Sequence, residues 1–143
     1  MSTDLAPQTR LAPGRARGFL SGAREIDDAP VDLLGACPPW LRGTLLLNGP
    51  ALWDLPGGRL EHWFDGYGMW HAVRIDGNAA RYRSRFSASE SYRRSTAAGA
   101  PVFGEFGTAN PASLITRLKA PQVTDNPAVV MTRHGGRWFS VTE

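Results

Sequence analysis

The stretch "GMWHAVRIDGNAARYRSRF" (residues 68–86) decides the fold. Two runs with alternating side chains flank Asp76-Gly77-Asn78, whose residues tolerate the positive φ angles of a tight turn. Because every second side chain of a strand points to the same face, we predict a β-hairpin with one packed face and one solvated, arginine-rich face. The packed face carries Met69, His71, Val73, Ile75, Tyr82, Ser84 and Phe86, and the solvated face carries Trp70, Ala72, Arg74, Arg81, Arg83 and Arg85.

Further β elements are predicted on both sides of this hairpin. Upstream, an apolar run over 43–50 ends in the turn signal Asn48-Gly49-Pro50, and a Pro-Gly-Gly turn interrupts 52–64. Downstream, the runs 128–134 and 137–143 flank a Gly-Gly turn and predict a second hairpin. The fold class is therefore all-β.

Two segments lack a clear period. Residues 23–43 predict an irregular segment laid against the folded body, with Val31, Leu34, Trp40 and Leu41 as anchors. Residues 87–127 are rich in Ser, Ala, Gly and Pro and predict a long loop, with a short helix near 112–119 as one option.

The charge is located in the N-terminal tail. Residues 1–24 account for the whole net charge of +3, because they contain four arginines and one aspartate (4 − 1 = +3). We predict that residues 1–25 form a disordered Arg/Ala/Pro-rich tail. The neutral remainder shows no basic face, so we expect no nucleic-acid partner. The single cysteine, Cys37, excludes an internal disulfide and fits a cytoplasmic location.

The candidate site is "EHWFDGYGMWH" (61–71), with two histidines, two carboxylates and four large aromatic rings. The spacing predicts a strand-turn-strand element with its bend at Asp65-Gly66 and its rings packed between sheets. On an unbroken strand His62 and Asp65 would point to opposite faces, which argues against metal ligation. His71 is expected to be packed and hydrogen-bonded, and His134 to be exposed at a turn. No metal-binding set and no catalytic set follows from these residues.

Five ordered blocks resemble one family. They are "PPWLRGTLLLNGPALWD" (38–54), "HWFDGYGMWHAVRIDGNAARYRSRF" (62–86), "EFGT" (105–108), "TDNPAVV" (124–130) and "TE" (142–143). In this order they are similar to the start of carotenoid cleavage oxygenases, the carotenoid/stilbene oxygenase family that includes the retinal pigment epithelial membrane protein. The resemblance runs from about residue 26 to residue 143 and departs from the family at Tyr67, where an acid is commoner.

The resemblance implies a seven-bladed β-propeller with Fe(II) on its axis. Four histidines bind the iron, and three glutamates hydrogen-bond three of those histidines. The iron and O2 split a conjugated C=C bond of a carotenoid, apocarotenoid or stilbene. Residues 26–143 would then be an incomplete N-terminal portion, about the first blade and part of the closing blade.

The resemblance also assigns individual residues. Glu143 matches the first of the glutamates that orient an iron-binding histidine. A structural motif matches at Trp63, Phe64, Asp65, Gly66, Gly68 and His71. The four iron-binding histidines lie beyond the Thr-Glu block in the family. We therefore expect no catalytic residue and no bound iron in this chain.

The chain by itself is accordingly expected to be inactive. Its last strand-like run reaches Glu143 without a cap or a partner strand, which indicates a cut sequence. Membrane association is compatible with the resemblance. The alternative is a short non-enzymatic β-sheet interaction module.

Overall fold

The computed structural model describes residues 14, 18–22, 24–111 and 124–142. These residues form mostly strands, with the α-helix Glu90–Ala98 and a short 3-10 helix at Trp63–Asp65. The elements are β1 (Ile26–Val31), β2 (Arg42–Leu52), β3 (Asp54–Leu55), β4 (Gly58–Arg59), β5 (Tyr67–Asp76), β6 (Ala79–Phe86), α1 (Glu90–Ala98), β7 (Val130–His134) and β8 (Arg137–Val141).

The main layer is a four-stranded antiparallel sheet with the order β1-β6-β5-β2. Its centre is the predicted β5–β6 hairpin, in which Asp76 pairs with Ala79 across a turn that begins at Gly77, with φ 64°. Trp70 pairs with Arg85 and His71 with Ser84, so the two faces carry the side chains that alternation predicts. The hairpin prediction is confirmed.

The prediction of an irregular segment over 23–43 is wrong for β1. This strand adds to β6 in antiparallel register, with a shift between Ile26 and Ala29 where Asp28 has φ 61°. Its acids meet the arginines of β6: Asp28 lies 2.6 Å from Arg81, and Asp27 lies 3.0 Å from Arg83. Each exposed ion pair stabilises little. Together they bring opposite charges into register on an edge strand.

Three of the four predicted apolar anchors are also wrong, since Val31 is 39% exposed and two others are more exposed still. Leu34 is fully exposed, and 78% of Trp40 is exposed. They follow β1 in a segment without regular structure, beyond the last residue that pairs with β6. In the part of the chain that the structure describes, no apolar surface covers them.

The turn predicted at Asn48-Gly49-Pro50 is wrong, because β2 runs through it to Leu52. Pro50 pairs with Gly68, and the register shifts between Pro50 and Leu52. The strand tolerates the proline because β2 is the edge of the sheet, where a missing N–H breaks no second ladder.

The long loop predicted over 87–127 contains α1. Ser89 caps its start by accepting from the Tyr92 N–H, and Gly99 ends it in the left-handed conformation, with φ 68°. The helix buries only the small side chains Ser91 and Ser95, so it has no apolar stripe for a sequence pattern to reveal. The alternative helix near 112–119 lies outside the described residues.

The buried core lies at one end of the main sheet. Trp53, Leu60 and Tyr67 form it, and the ring of Tyr92 from α1 packs on Tyr67 with 5.8 Å between centroids. The predicted Pro-Gly turn joins β3 and β4, and the predicted 128–143 hairpin is present as β7–β8. No helix among the described residues is long and apolar enough to span a membrane.

Residues 18–22 lie against the edge of β2. The Ser21 hydroxyl accepts from the backbone N–H groups of Trp53 and Asp54 at 3.0 and 2.9 Å. Phe19 packs on the Trp53 ring with 6.1 Å between centroids. Residues 1–13, 15–17 and 23 lie outside the described part, so for them the disordered tail predicted over 1–25 stays a prediction.

Candidate functional site

The segment 61–71 folds as a one-turn helix followed by β5. His62 caps the 3-10 helix Trp63–Asp65: its Nδ1 accepts from the Phe64 N–H, while Asp65 accepts from the His62 N–H at 3.2 Å. This turn brings His62 and Asp65 together, whereas a strand would have separated them. It also points two rings outward, so Trp63 and Phe64 are 40% and 43% exposed and the prediction of rings packed between sheets is wrong for these two, whereas Tyr67 is buried in the core.

Asp65 is the centre of a buried polar network. It is 1% exposed, and its carboxylate accepts from the Gly107 N–H at 3.0 and 3.2 Å and from the Thr108 hydroxyl at 2.6 Å. The Thr108 oxygen also accepts from the Glu61 N–H at 2.7 Å. A buried carboxylate needs such donors, because without them burial of its charge would be prohibitive.

Asn126 extends the network to the C-terminal part of the chain. Its amide nitrogen donates to the carbonyls of Asp65 and Gly66 at 3.0 and 3.1 Å, and its amide oxygen accepts from the Gly68 N–H at 3.0 Å. Three of the sequence blocks that resemble the family, 62–86, 105–108 and 124–130, therefore meet around one aspartate and one asparagine.

Glycine is required at the contacts between these blocks. A Cβ at Gly66 would lie 2.5 Å from the Trp53 ring, and a Cβ at Gly68 would lie 2.8 Å from the Pro127 carbonyl oxygen. A Cβ at Gly107 would lie 2.4 Å from the Cβ of His62. None of these glycines has a positive φ, so close approach, rather than backbone conformation, explains them.

Helix α1 joins the network through two acids and one hydroxyl. Asp125 accepts from the N–H groups of Glu90 and Ser91 at 2.6 and 2.8 Å, which satisfies the free start of the helix. The Ser91 hydroxyl donates to Glu105 at 2.6 Å. Burial raises the pKa of the Glu105 carboxyl, and burial likewise raises the pKa of the Tyr67 phenol.

The β7–β8 hairpin is attached beside this network. The Pro127 carbonyl oxygen accepts from the Asn48 amide nitrogen of β2 and from the Ser140 hydroxyl of β8, each at 2.7 Å. Thr142 follows β8. Glu143 lies outside the described residues, so its role beside an iron-binding histidine stays a prediction.

The three histidines lie on separate elements. His71 on β5 contacts the Tyr82 hydroxyl through Nδ1 at 2.6 Å, and burial lowers its pKa, so it is hydrogen-bonded as predicted. His134 is exposed at the β7–β8 turn, also as predicted, and His62 caps a helix. Across 24–111 and 124–142, no three His, Cys, Asp or Glu side chains are grouped to hold a metal ion. The side chains within these ranges therefore do not form an iron site.

Comparison with known proteins gives concordant results. The profile of the "Retinal pigment epithelial membrane protein" family matches residues 19–143. A mitochondrial carotenoid-cleaving dioxygenase of Pongo abelii is 31% identical over 96% of this chain and 28% of its own length. The chloroplastic carotenoid cleavage dioxygenase 8 homolog A of Oryza sativa subsp. japonica is 36% identical over 81% of this chain and 23% of its own length.

Solved structures agree with the sequence matches. A mutant Synechocystis apocarotenoid oxygenase superposes with a TM-score of 0.78 at 29% identity, covering 90% of this chain and 27% of that one. The cobalt-substituted form of the same oxygenase gives 0.77 at 30% identity, with the same two coverages. The fold is thus that of part of an oxygenase propeller, and the chain spans 23–28% of the length of these relatives.

Proposed function

Because the chain belongs to the family of the retinal pigment epithelial membrane protein and the carotenoid oxygenases, we propose that it is the N-terminal part of a carotenoid cleavage dioxygenase. The match of residues 19–143 to the family carries this proposal. The relatives are named for cleaving carotenoids and apocarotenoids, so the substrate class proposed is a carotenoid or apocarotenoid. Stilbenes and the use of O2 come from the family resemblance.

The proposed cofactor is Fe(II), held by histidines that this chain does not contain. A cobalt-substituted relative supports a metal centre in the longer protein. His62 and His71 make the hydrogen bonds described above and His134 is exposed at a turn, each on a separate element. The chain by itself is therefore proposed to be inactive. What its residues provide is a rigid N-terminal framework.

Glu143 is proposed to act on the metal centre indirectly. A carboxylate that accepts the second N–H of a metal-binding imidazole fixes the ring orientation and raises its basicity. Substitution of such a carboxylate lowers metal affinity or activity by roughly 10–100-fold. The cytoplasmic location, and docking of the longer protein at a membrane, remain part of this proposal.

The experiment compares two proteins. One is the 143-residue chain; the other joins it after Glu143 to the remaining part of the Synechocystis apocarotenoid oxygenase. Iron content and O2-dependent cleavage of an apocarotenal are measured for both. We expect cleavage and about one iron per chain only in the longer protein. Cleavage by the 143-residue chain, or none by a folded, iron-loaded longer protein, would contradict the proposal.

A further inference from the structure

The β7–β8 hairpin is a small unit with little support of its own. Its two strands pair with each other and with no further strand in the described ranges. Val130, Phe139 and Val141 on it are exposed. Because an isolated two-stranded hairpin is only marginally stable in water, its position depends on contacts with the main sheet.

Two hydrogen bonds between the sheet and the hairpin meet at one residue. The Pro127 carbonyl oxygen accepts from Asn48 of β2 and from Ser140 of β8, both at 2.7 Å. One carbonyl group thus joins the edge strand of the main sheet to the second strand of the hairpin. The Asn48 amide oxygen is buried and has no hydrogen-bond partner among the described residues, so the amide is held by its nitrogen alone.

The backbone before the hairpin is fixed by a second asparagine. Asn126 is 3% exposed, and its amide makes three hydrogen bonds, to the Asp65 and Gly66 carbonyls and from the Gly68 N–H. Gly68 lies under Pro127 with no room for a Cβ. Asn126 therefore aligns the segment that carries the Pro127 carbonyl.

We propose that Asn48 and Asn126 are positioning residues that fix the β7–β8 hairpin against the four-stranded sheet. The Asn48 amide nitrogen donates to the Pro127 carbonyl next to the hairpin. The Asn126 amide nitrogen donates to the carbonyls of Asp65 and Gly66, which precede β5. The inference rests on the proposed function in one respect: β8 leads to Thr142 and Glu143, so the hairpin's position sets where that carboxylate can act.

Asn-to-Asp substitution tests the role of the amide nitrogen. In Asn126→Asp a carboxylate oxygen would face the Asp65 and Gly66 carbonyls, and in Asn48→Asp one would face the Pro127 carbonyl. Both contacts become repulsive at pH 7. Protonation of the new carboxyl restores one donor, so the defect should reverse in acid. A residue that only fills space would give no such reversal.

The measurement is the amide ¹⁵N{¹H} NOE of the 143-residue chain at pH 7 and at pH 4.5. We expect both variants to lose order in β7–β8 at pH 7 while β5 and β6 keep theirs, and to regain it at pH 4.5. The wild type at each pH is the reference for any change that does not come from the new carboxyl. Asn78→Asp, in the exposed β5–β6 turn, is the matched control and should behave as the wild type.

Each other outcome counts against the inference. An ordered hairpin in both variants at pH 7 overturns it, as does equal loss of order in both sheets or the absence of recovery in acid. If Asn126→Asp does not fold, the result for Asn48→Asp, at a half-buried position, decides whether the inference holds. Because this readout needs neither iron nor cleavage, it can fail while the dioxygenase proposal stands, and the reverse also holds.

Discussion

Gly68 lies so close to Pro127 that a methyl group on its Cα would come within 2.8 Å of the proline carbonyl oxygen. Gly68→Ala should therefore push the 126–128 segment away and destabilise the chain by about 1–3 kcal/mol, the usual range for overpacking. Urea denaturation followed by tryptophan fluorescence measures this. Gly49→Ala is the matched control, because no atom lies within 4 Å of the Cβ position of Gly49. Equal effects of the two substitutions would contradict the close-contact explanation.

Asp65→Asn should be among the most destabilising conservative changes in the chain. The new amide nitrogen would face one of the two groups that now donate to the carboxylate, the Gly107 N–H or the Thr108 hydroxyl. Hydrogen bonds to a charged group contribute about 1.5–3 kcal/mol each, so a loss of at least about 2 kcal/mol is expected. Asp76→Asn is the control: its exposed pair with Arg42 should contribute less than about 1 kcal/mol. If the free energies of unfolding of Asp65→Asn and Asp76→Asn differed by less than the fitting error, the network around Asp65 would not be a major source of stability.

Two serines near the start of α1 should respond differently. Ser89→Ala removes the oxygen that accepts from the Tyr92 N–H and should lower the free energy of unfolding by about 1 kcal/mol. Ser87→Ala should be neutral or stabilising, since the Ser87 hydroxyl is buried without a partner among the described residues. Hydrogen exchange of the α1 amides should be accelerated only in the first variant. Acceleration in both would indicate that capping is not the cause.

Glu105 gives the stability a pH dependence of predictable sign. Burial raises the pKa of its carboxyl in the folded chain above the ordinary 4.5. The folded state therefore binds this proton more tightly than the unfolded state, and the stabilisation from protonation grows as pH falls through the raised pKa. Glu105→Gln removes this protonation. The free energy of unfolding of the wild type should therefore rise relative to that of the variant when the pH is lowered from 7 to 5.

The control for Glu105 is Glu61→Gln, because Glu61 is exposed. Urea denaturation at pH 5 and at pH 7 measures the stability difference of each variant from the wild type, and the pH dependence that burial predicts belongs to Glu105→Gln. If the Glu105→Gln difference did not change with pH, burial would not be controlling the titration of that carboxyl.

What could be predicted from the sequence is local. The β5–β6 hairpin follows from Asp76-Gly77-Asn78 and from strict alternation on both sides of it, and both signals lie within 19 residues (68–86). The β7–β8 hairpin follows in the same way from its Gly-Gly turn. These elements form where turn chemistry and side-chain period agree.

What could not be predicted depends on distant partners. Nothing near β1 shows that its acids will meet arginines on β6, and nothing near Asn48 shows that an edge position will let β2 continue through Pro50. The caps Ser89 and Gly99 were available as signals for α1, but a helix that buries serines has no hydrophobic period. Asp65 and Thr108, in contact at 2.6 Å, are 43 residues apart.

The strand order has a consequence for how the sheet forms. β1 is made first, yet its partner β6 is the last of the four strands in sequence, and the Ile26 N–H reaches a serine 58 residues later. The β5–β6 hairpin can close in about 1–10 μs, whereas docking of β1 requires closure of a long loop. During synthesis β1 therefore stays unpaired until residue 86, the end of β6, has left the ribosome. We expect its attachment to be the late step in refolding of the sheet.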